Sequence, residues 1–310
     1  MPPLKYHSGQ RSIQEEAKTT HVAANLASWV GPVGEFAQLA DLALLANWQQ
    51  EDLAFTILSG KPPLVQVDPH APHRLLLPSP IGERLPALTR CGGLFIHLGQ
   101  ARRVRVNGEL THRPDGVELV GDETFTLCRK YMSPSEALST GLWVGPQLRE
   151  PIAIDDPWAA GVVGTADVSF LASLSPDQHP DVAHRGGPPG FLRFEPEHRS
   201  LEWTEYLGDG VFKSAGNIRA TGVMTLLVPD VITGDAVELV GRGSYTNIRM
   251  ERRERVDPLI QDREPYPVQG RLACSLDRAY KLHGAMAPRA PSKNGRKFTA
   301  DAHVDEQAPQ

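Results

Sequence analysis

A chain of 310 residues has room for one large domain or two of ordinary size, and with 40% hydrophobic residues it can bury a sizeable core. A formal net charge of -5 and an isoelectric point near 6.1 argue against a general nucleic-acid binder, which needs a clustered basic face, while leaving room for a local basic pocket around a phosphate. The three cysteines, Cys91, Cys128 and Cys274, are far apart and form no CxxC pair, so neither a disulfide framework nor a cysteine zinc site is expected.

The opening residues, MPPLKYHSGQRS, lack the apolar core of a signal peptide, and no run approaches the roughly 18 apolar residues of a membrane span. The expectation is a soluble, cytoplasmic protein with reduced thiols. In residues 10–30, Ile13, Ala17, Val22 and Leu26 fall roughly in helical phase, and residues 34–48, rich in Ala and Leu, predict a second helix.

From Asp52 onward the pattern shortens. Leu53–Leu58, Leu75–Leu77, Gly93–Leu98 and Arg103–Leu110 are apolar or alternating and bounded by Gly, Pro or Asp, and Val117–Val120 follows the hairpin signal Arg113-Pro-Asp-Gly116. Residues 133–158 are mixed and read as a connector. Strand signals resume at Ser169–Leu174, Val182–His184, Gly190–Phe194, Leu201–Trp203, Gly222–Val228 and Ala236–Thr246. GGLFIHL (93–99) parallels GVMTLLV (222–228), and ARRVRVNGEL (101–110) parallels DAVELVGRGS (235–244), a weak internal repeat about 130 residues apart. The fold class expected is mainly β with peripheral helices. After Ala285 the chain turns polar and proline-rich, which predicts a disordered tail.

Two stretches could carry chemistry. In Pro180-Asp-Val-Ala-His-Arg-Gly-Gly-Pro-Pro-Gly-Phe191, His184 and Arg185 leave a strand straight into glycines that let a backbone approach a ligand and prolines that stiffen the loop. Arg185 could present its planar fork to a phosphate there, or lie solvated in a surface turn. In Tyr206-Leu-Gly-Asp-Gly-Val-Phe-Lys-Ser-Ala-Gly-Asn217, a glycine-rich turn leads into Lys213 and Ser214 where a helix could start; free N–H groups, a charge and a hydroxyl suit a phosphate, and a plain cap is the other reading. No GxxxxGK[ST], GxGxxG, GxSxG or HExxH occurs, which disfavours Walker nucleotidases, Rossmann dehydrogenases, serine hydrolases and zinc proteases. No metal site is expected. Cys128, beside Arg129 and Lys130, is read either as an activated thiol or as a buried core residue.

The succession FLASLSPDQHPDVAHRGGPPGF, GDGVFKSAGNI and VMTLLVPDVITGDAVELVGRG resembles the pyridoxamine 5'-phosphate oxidase-like FMN-binding split β-barrels, in particular a subgroup with an HRGGPPGF-type loop. YHSGQRSIQ (6–14), VRVNG (104–108) and Cys128-Arg-Lys-Tyr131 extend the likeness over most of residues 4–250. The resemblance implies two tandem split barrels: an N-terminal helical segment (1–50), a degenerate barrel (51–132) acting as partner wall, a connector (133–160), an FMN-binding barrel (161–284) and the tail (285–310). It implies that Arg185, Lys213 and Ser214 contact the FMN phosphate, that His184, Gly186 and Gly187 lie near the flavin, and that Asn217 shapes the site. His184 becomes the candidate catalytic residue, as proton donor or ring neighbour.

The function so implied is an FMN-dependent oxidoreductase acting on a small molecule, with NAD(P)H or a reductase as electron source. The alternative is a non-catalytic flavin-, haem- or deazaflavin-binding protein, for which His184 or His283 could serve as haem ligand. The cofactor site could be completed within the chain or by homodimerisation.

Overall fold

The computed structural model describes residues 4–26, 33–78, 81, 84–85, 89–100, 102–114, 116–128, 131–132, 135–248 and 268–291. Helices α1 (Ser8–Glu16), α2 (Thr20–Asn25) and α3 (Val33–Leu39) precede strands β1 (Leu42–Gln49), β2 (Asp52–Ser59), β3 (Gln66–Asp68), β4 (Ala71–Pro78), β5 (Arg90–His97), β6 (Arg102–Arg113) and β7 (Gly116–Thr126). Short strands β8 (Ser135–Ala137), β9 (Trp143–Gly145) and β10 (Leu148–Ile152) follow. Then come α4 (Pro157–Thr165), β11 (Val168–Leu174), β12 (Pro180–Gly186), β13 (Leu192–Glu195), β14 (Ser200–Tyr206), α5 (Lys213–Thr221), β15 (Val223–Pro229), β16 (Ala236–Asn247), β17 (Val268–His283) and β18 (Arg289–Pro291).

The two large antiparallel sheets share one topology. The first runs β2-β1-β5-β6-β7-β4-β3 and the second β12-β11-β15-β16-β17-β14-β13, with β9 added at β2 and β10 at β17. Registers coincide: Leu42 faces Ser59 as Val168 faces Gly186, and Leu94 faces Arg105 as Leu227 faces Glu238. Both copies carry a bulge at the same point, Asn107/Gly108 and Val240/Gly241. A Cβ on Gly108 would lie 2.0 Å from the Val120 carbonyl oxygen, and one on Gly241 2.2 Å from that of Ser275. The fold is therefore a tandem of split β-barrels, and the sequence parallels lie on equivalent strands.

Three apolar cores follow from strand alternation. Ala43 and Leu45 of β1 fill the first barrel, whereas Leu42, Leu44 and Ala46 face outward to meet Phe170, Ala172 and Val182 of the second copy; Leu171, Trp203 and Leu239 fill the second barrel. The barrels thus pack face to face through equivalent strands. The chain leaving each barrel crosses onto the other. After β7, the Tyr131 carbonyl lies where a Cβ on Gly186 would come within 2.0 Å of it, and after β17, Ala287 donates its N–H to Ser59 Oγ at 2.7 Å.

Three expectations need correction. The helix expected over 34–48 ends at Leu39, and Leu42–Gln49 is a strand: with both faces buried its apolar residues are nearly continuous, and period alone does not separate that from a buried helix. The expected tail begins too early. Ala285, Met286, Ala287 and Arg289 are buried, and β18 pairs with β8. The Arg289 guanidinium is neutralised by Asp41 at 2.7 Å and bonded to Ser135, partners remote in sequence that local composition does not reveal. Residues 292–310 lie outside the described residues. Finally, the segment read as a connector supplies strands to both sheets and the N-terminus of α4, capped by Asp156. Among the described residues no helix is long and apolar enough to cross a membrane.

Candidate functional site

Strand β12 runs out of the second barrel at the seam with the first. Alternation turns His184, with Val182, toward the inter-barrel core, where its ring meets Phe170 edge-on at 5.9 Å. Arg185 takes the opposite face, with its Nε 2.5 Å from Glu205 Oε1. The glycine-rich turn after β14 brings the chain to Phe212, whose φ of 57° sets the start of α5. No side chain caps that helix. The N–H groups of its first turn therefore lack side-chain acceptors, and they lie at the positive end of the helix dipole.

These pieces enclose a cavity of about 110 Å³ between the barrels. The second copy lines it with His184, Arg185, Gly186, Glu205, Tyr206, Lys213 and Ser214, the first with Arg103 and Arg105 of β6 and with Cys128 and Tyr131 beyond β7. Of the residues expected at the site, His184, Arg185, Gly186, Lys213 and Ser214 thus share one cavity wall. Gly187 and Asn217 do not line it. Gly187 packs so close to Phe191 that a Cβ there would lie 2.5 Å from it. Asn217 accepts from His7 at 2.8 Å and Gln10 at 2.9 Å and donates to Ser173, which ties α1 to α5. The His7 ring takes the Gly9 N–H on Nδ1, so its proton sits on Nε2; His7 and Gln14 are positioning residues of the N-terminal helix. His283 pairs with Glu150 at 2.6 Å and lines no part of this cavity.

The cavity's cations are matched by carboxylates. Lys213 Nζ lies 2.6 Å from Glu123, Arg105 lies 3.1 Å from Asp181, and Ser214 donates to Asp181 at 2.9 Å. Asn107 bridges both acids, at 3.0 Å to Glu123 and 3.1 Å to Asp181. Burial pushes the Asp181 pKa up, but Arg105, Lys213 and its two hydrogen bonds outweigh this and hold it below the usual value. His184 is driven the other way from charge: burial, then the positive charges of Arg103 and Arg185, hold its pKa well below 6.5, so the ring is neutral. Its Nε2 has no partner among the described residues, and neither has Arg105 Nε. Buried polar atoms without partners are costly, and these two belong to side chains that line the cavity. Among the described residues no cluster of three or more metal-ligating side chains occurs.

Sequence reasoning missed Arg103, Arg105, Tyr131 and Glu205. The alternation in Arg103-Val-Arg-Val-Asn107 does put Arg103 and Arg105 on one strand face, which was the available signal. Nothing local says that this face turns toward the other barrel.

The duplication offers an internal comparison. By register, the first copy has Ile57 where the second has His184 and Leu58 where it has Arg185, both fully buried. On β16, Glu238 stands where β6 has Arg105, and Ala236 where it has Arg103. Glu238 is buried and accepts from Arg149 Nε at 2.8 Å. Among the described residues, the first copy thus lacks counterparts of His184 and Arg185, and the second has an arginine-paired acid where the first has Arg105.

No protein-family model matches the chain, and no curated protein does. Solved structures do. HupZ of Group A Streptococcus is 13% identical over 44% of this chain and 96% of its own, with a TM-score of 0.32. A pyridoxamine 5'-phosphate oxidase-related, FMN-binding protein from Nostoc punctiforme is 14% identical over 47% of this chain and 90% of its own, at 0.29. An FMN-binding protein from Syntrophomonas wolfei is 10% identical over 42% and 86%, at 0.31.

Proposed function

We propose that the chain is a flavin-dependent oxidoreductase that binds FMN in the inter-barrel cavity and acts on a small molecule. The observation that carries this reading is the convergence, at one seam, of an uncapped helix N-terminus and four cationic side chains. That donor set suits a phosphate. Arg185, Lys213, Ser214 and the first turn of α5 would hold it, in competition with Glu205 and Glu123 for the two cations. A cavity of 110 Å³ is smaller than the roughly 300 Å³ of a typical ligand pocket, so it must widen to admit the ring system.

When bound, the flavin supplies hydride or electron transfer. The protein's own part is positional. Neutral His184 adds no charge to the cavity lining, and Arg103 and Arg105 bring guanidinium groups to it from the first barrel. Absorbance of the purified protein tests this directly. Flavin maxima at about 370 and 450 nm, with bleaching on addition of NADH, NADPH or dithionite, are expected. A protein that stays colourless after incubation with FMN, or that shows a haem Soret band, overturns it. Asn217 and Gly187 are expected to affect the site only through folding.

A further inference from the structure

We infer that Glu123, reaching over from the first barrel, sets the site's affinity for an anion by withholding the Lys213 ammonium from it. The inference rests on the phosphate-binding reading above and concerns the regulation of that same site. Lys213 lines two cavities: the one already described, and a neighbour of about 550 Å³ whose lining includes Tyr6, Asn107, Glu123 and Asp181. Its charged end is committed to the second. Lys213 Nζ lies 2.6 Å from Glu123 Oε2 and 5.6 Å from the centre of the Tyr6 ring, and neither of those residues lines the first cavity. Ser214 is held the same way: its hydroxyl donates at 2.9 Å to Asp181, which lines only the second of the two.

Glu123 is itself fixed, because Asn107 Nδ2 donates to its other oxygen at 3.0 Å and also to Asp181. The Lys213 and Glu123 side chains are 9% and 19% exposed, so solvent screens the pair poorly. An anion at the start of α5 must either draw the ammonium off Glu123 or accept a carboxylate beside it, and both weaken binding. The flexible stem of lysine allows the first course. The other opposed pair is of a different kind. Glu205 comes from the same barrel as Arg185 and takes the Trp203 indole N–H at 2.7 Å on the oxygen that Arg185 also uses, while Arg185 donates to the His184 carbonyl. That pair belongs to the frame of the second barrel. The pair that joins the barrels is the one an anion can exchange.

Titration of FMN against the full chain in phosphate-free buffer, followed by flavin fluorescence, tests this. Glu123→Gln keeps the shape and an oxygen for Asn107 but removes the charge, and should tighten FMN binding about tenfold. A gain of affinity is not what a damaged fold produces. Riboflavin, which lacks the phosphate, should gain less than about twofold or bind neither protein. Asp122→Asn is the control: that carboxylate, 56% exposed, pairs with Arg90, and its loss should shift FMN affinity by less than about twofold. Should Glu123→Gln fail to fold, Glu123→Asp decides: it draws the charge back by one methylene and should still tighten FMN binding. Wild type that binds FMN while folded Glu123→Gln (or, in its place, Glu123→Asp) binds it no tighter overturns the inference and leaves the site standing. An equal gain for riboflavin, or for Asp122→Asn, also overturns it, since the effect would then not run through the phosphate or through Lys213. Failure of every variant and of wild type to bind FMN removes the site and the inference together.

Discussion

Replacing Asp181 by alanine removes the acid on which the two barrels' polar seam converges. Its side chain is 3% exposed and that of Arg105 6% exposed, so the substitution leaves a guanidinium in the interior with only the Phe125 face and no carboxylate beside it. Removing one member of a buried ion pair costs about 3–5 kcal/mol, and a chain of this size loses roughly 2–4 °C of Tm per kcal/mol, so a fall of about 6–20 °C is expected. Urea denaturation in phosphate-free buffer, with unchanged slope, measures the loss. Arg193→Ala is the control: its pair with Glu195 is 58% and 39% exposed and should matter by less than about 1 kcal/mol. The double substitution Arg105→Met, Asp181→Leu should recover most of the loss, because no charge then remains unpaired. The pH dependence has a definite sign. The folded pKa of Asp181 is depressed, so its contribution is present above the unfolded value near 3.9 and is lost as pH falls through the lower folded value; Asp181→Ala should lack that component. A loss below about 1 kcal/mol for Asp181→Ala would refute the view that this network holds the seam.

Other expectations follow from the same geometry. His184 has a depressed folded pKa, so the unfolded chain binds the proton first. Stability is complete above about pH 6.5 and should decline by up to about 1.4 kcal/mol per unit below it, and His184→Leu should remove that part of the slope in denaturation curves at pH 7.5 and 5.5. Gly108→Ala and Gly241→Ala drive a methyl into backbone oxygens at equivalent bulges, and each should cost about 1–3 kcal/mol by urea denaturation; indifference at either position would mean that the bulges relax freely. Arg289→Leu leaves Asp41 buried without its cation and should destabilise by about 3–5 kcal/mol in the same assay, whereas a disordered segment would show no effect. FMN titration followed by flavin fluorescence should saturate at one per chain, and Lys213→Ala should weaken binding by about 10–100-fold.

Much of the architecture was legible because it is written locally. The hairpin at Arg113–Gly116 and the strands of the second barrel announce themselves through turn residues and alternation, and the two stretches bearing His184, Arg185, Lys213 and Ser214 do meet at one cavity. What was not legible is non-local. Leu42–Gln49 reads as a helix until its two faces are assigned to two different cores. Strand β17 went unpredicted although it pairs with both β16 and β14. The carboxylates that restrain the candidate phosphate ligands come from residues 20 to 90 positions away, as with Arg185 and Glu205 or Lys213 and Glu123, and no spacing rule foretells them. Cys128 likewise accepts a hydrogen bond from Arg103, 25 positions away.

The matched strand order of the two barrels also bears on how such a seam can change. In an assembly of two identical chains, every substitution appears at both symmetry-related seams, so neither can be lost without the other. Joining the copies in one polypeptide removes that constraint and makes their pairing independent of concentration. Ile57 in the place of His184, Leu58 in that of Arg185, and Glu238 in that of Arg105 are one-sided differences that a pair of identical chains could not carry. The two seams of one chain can thus carry different side chains, apolar Ile57 and Leu58 at one and His184 and Arg185 at the other.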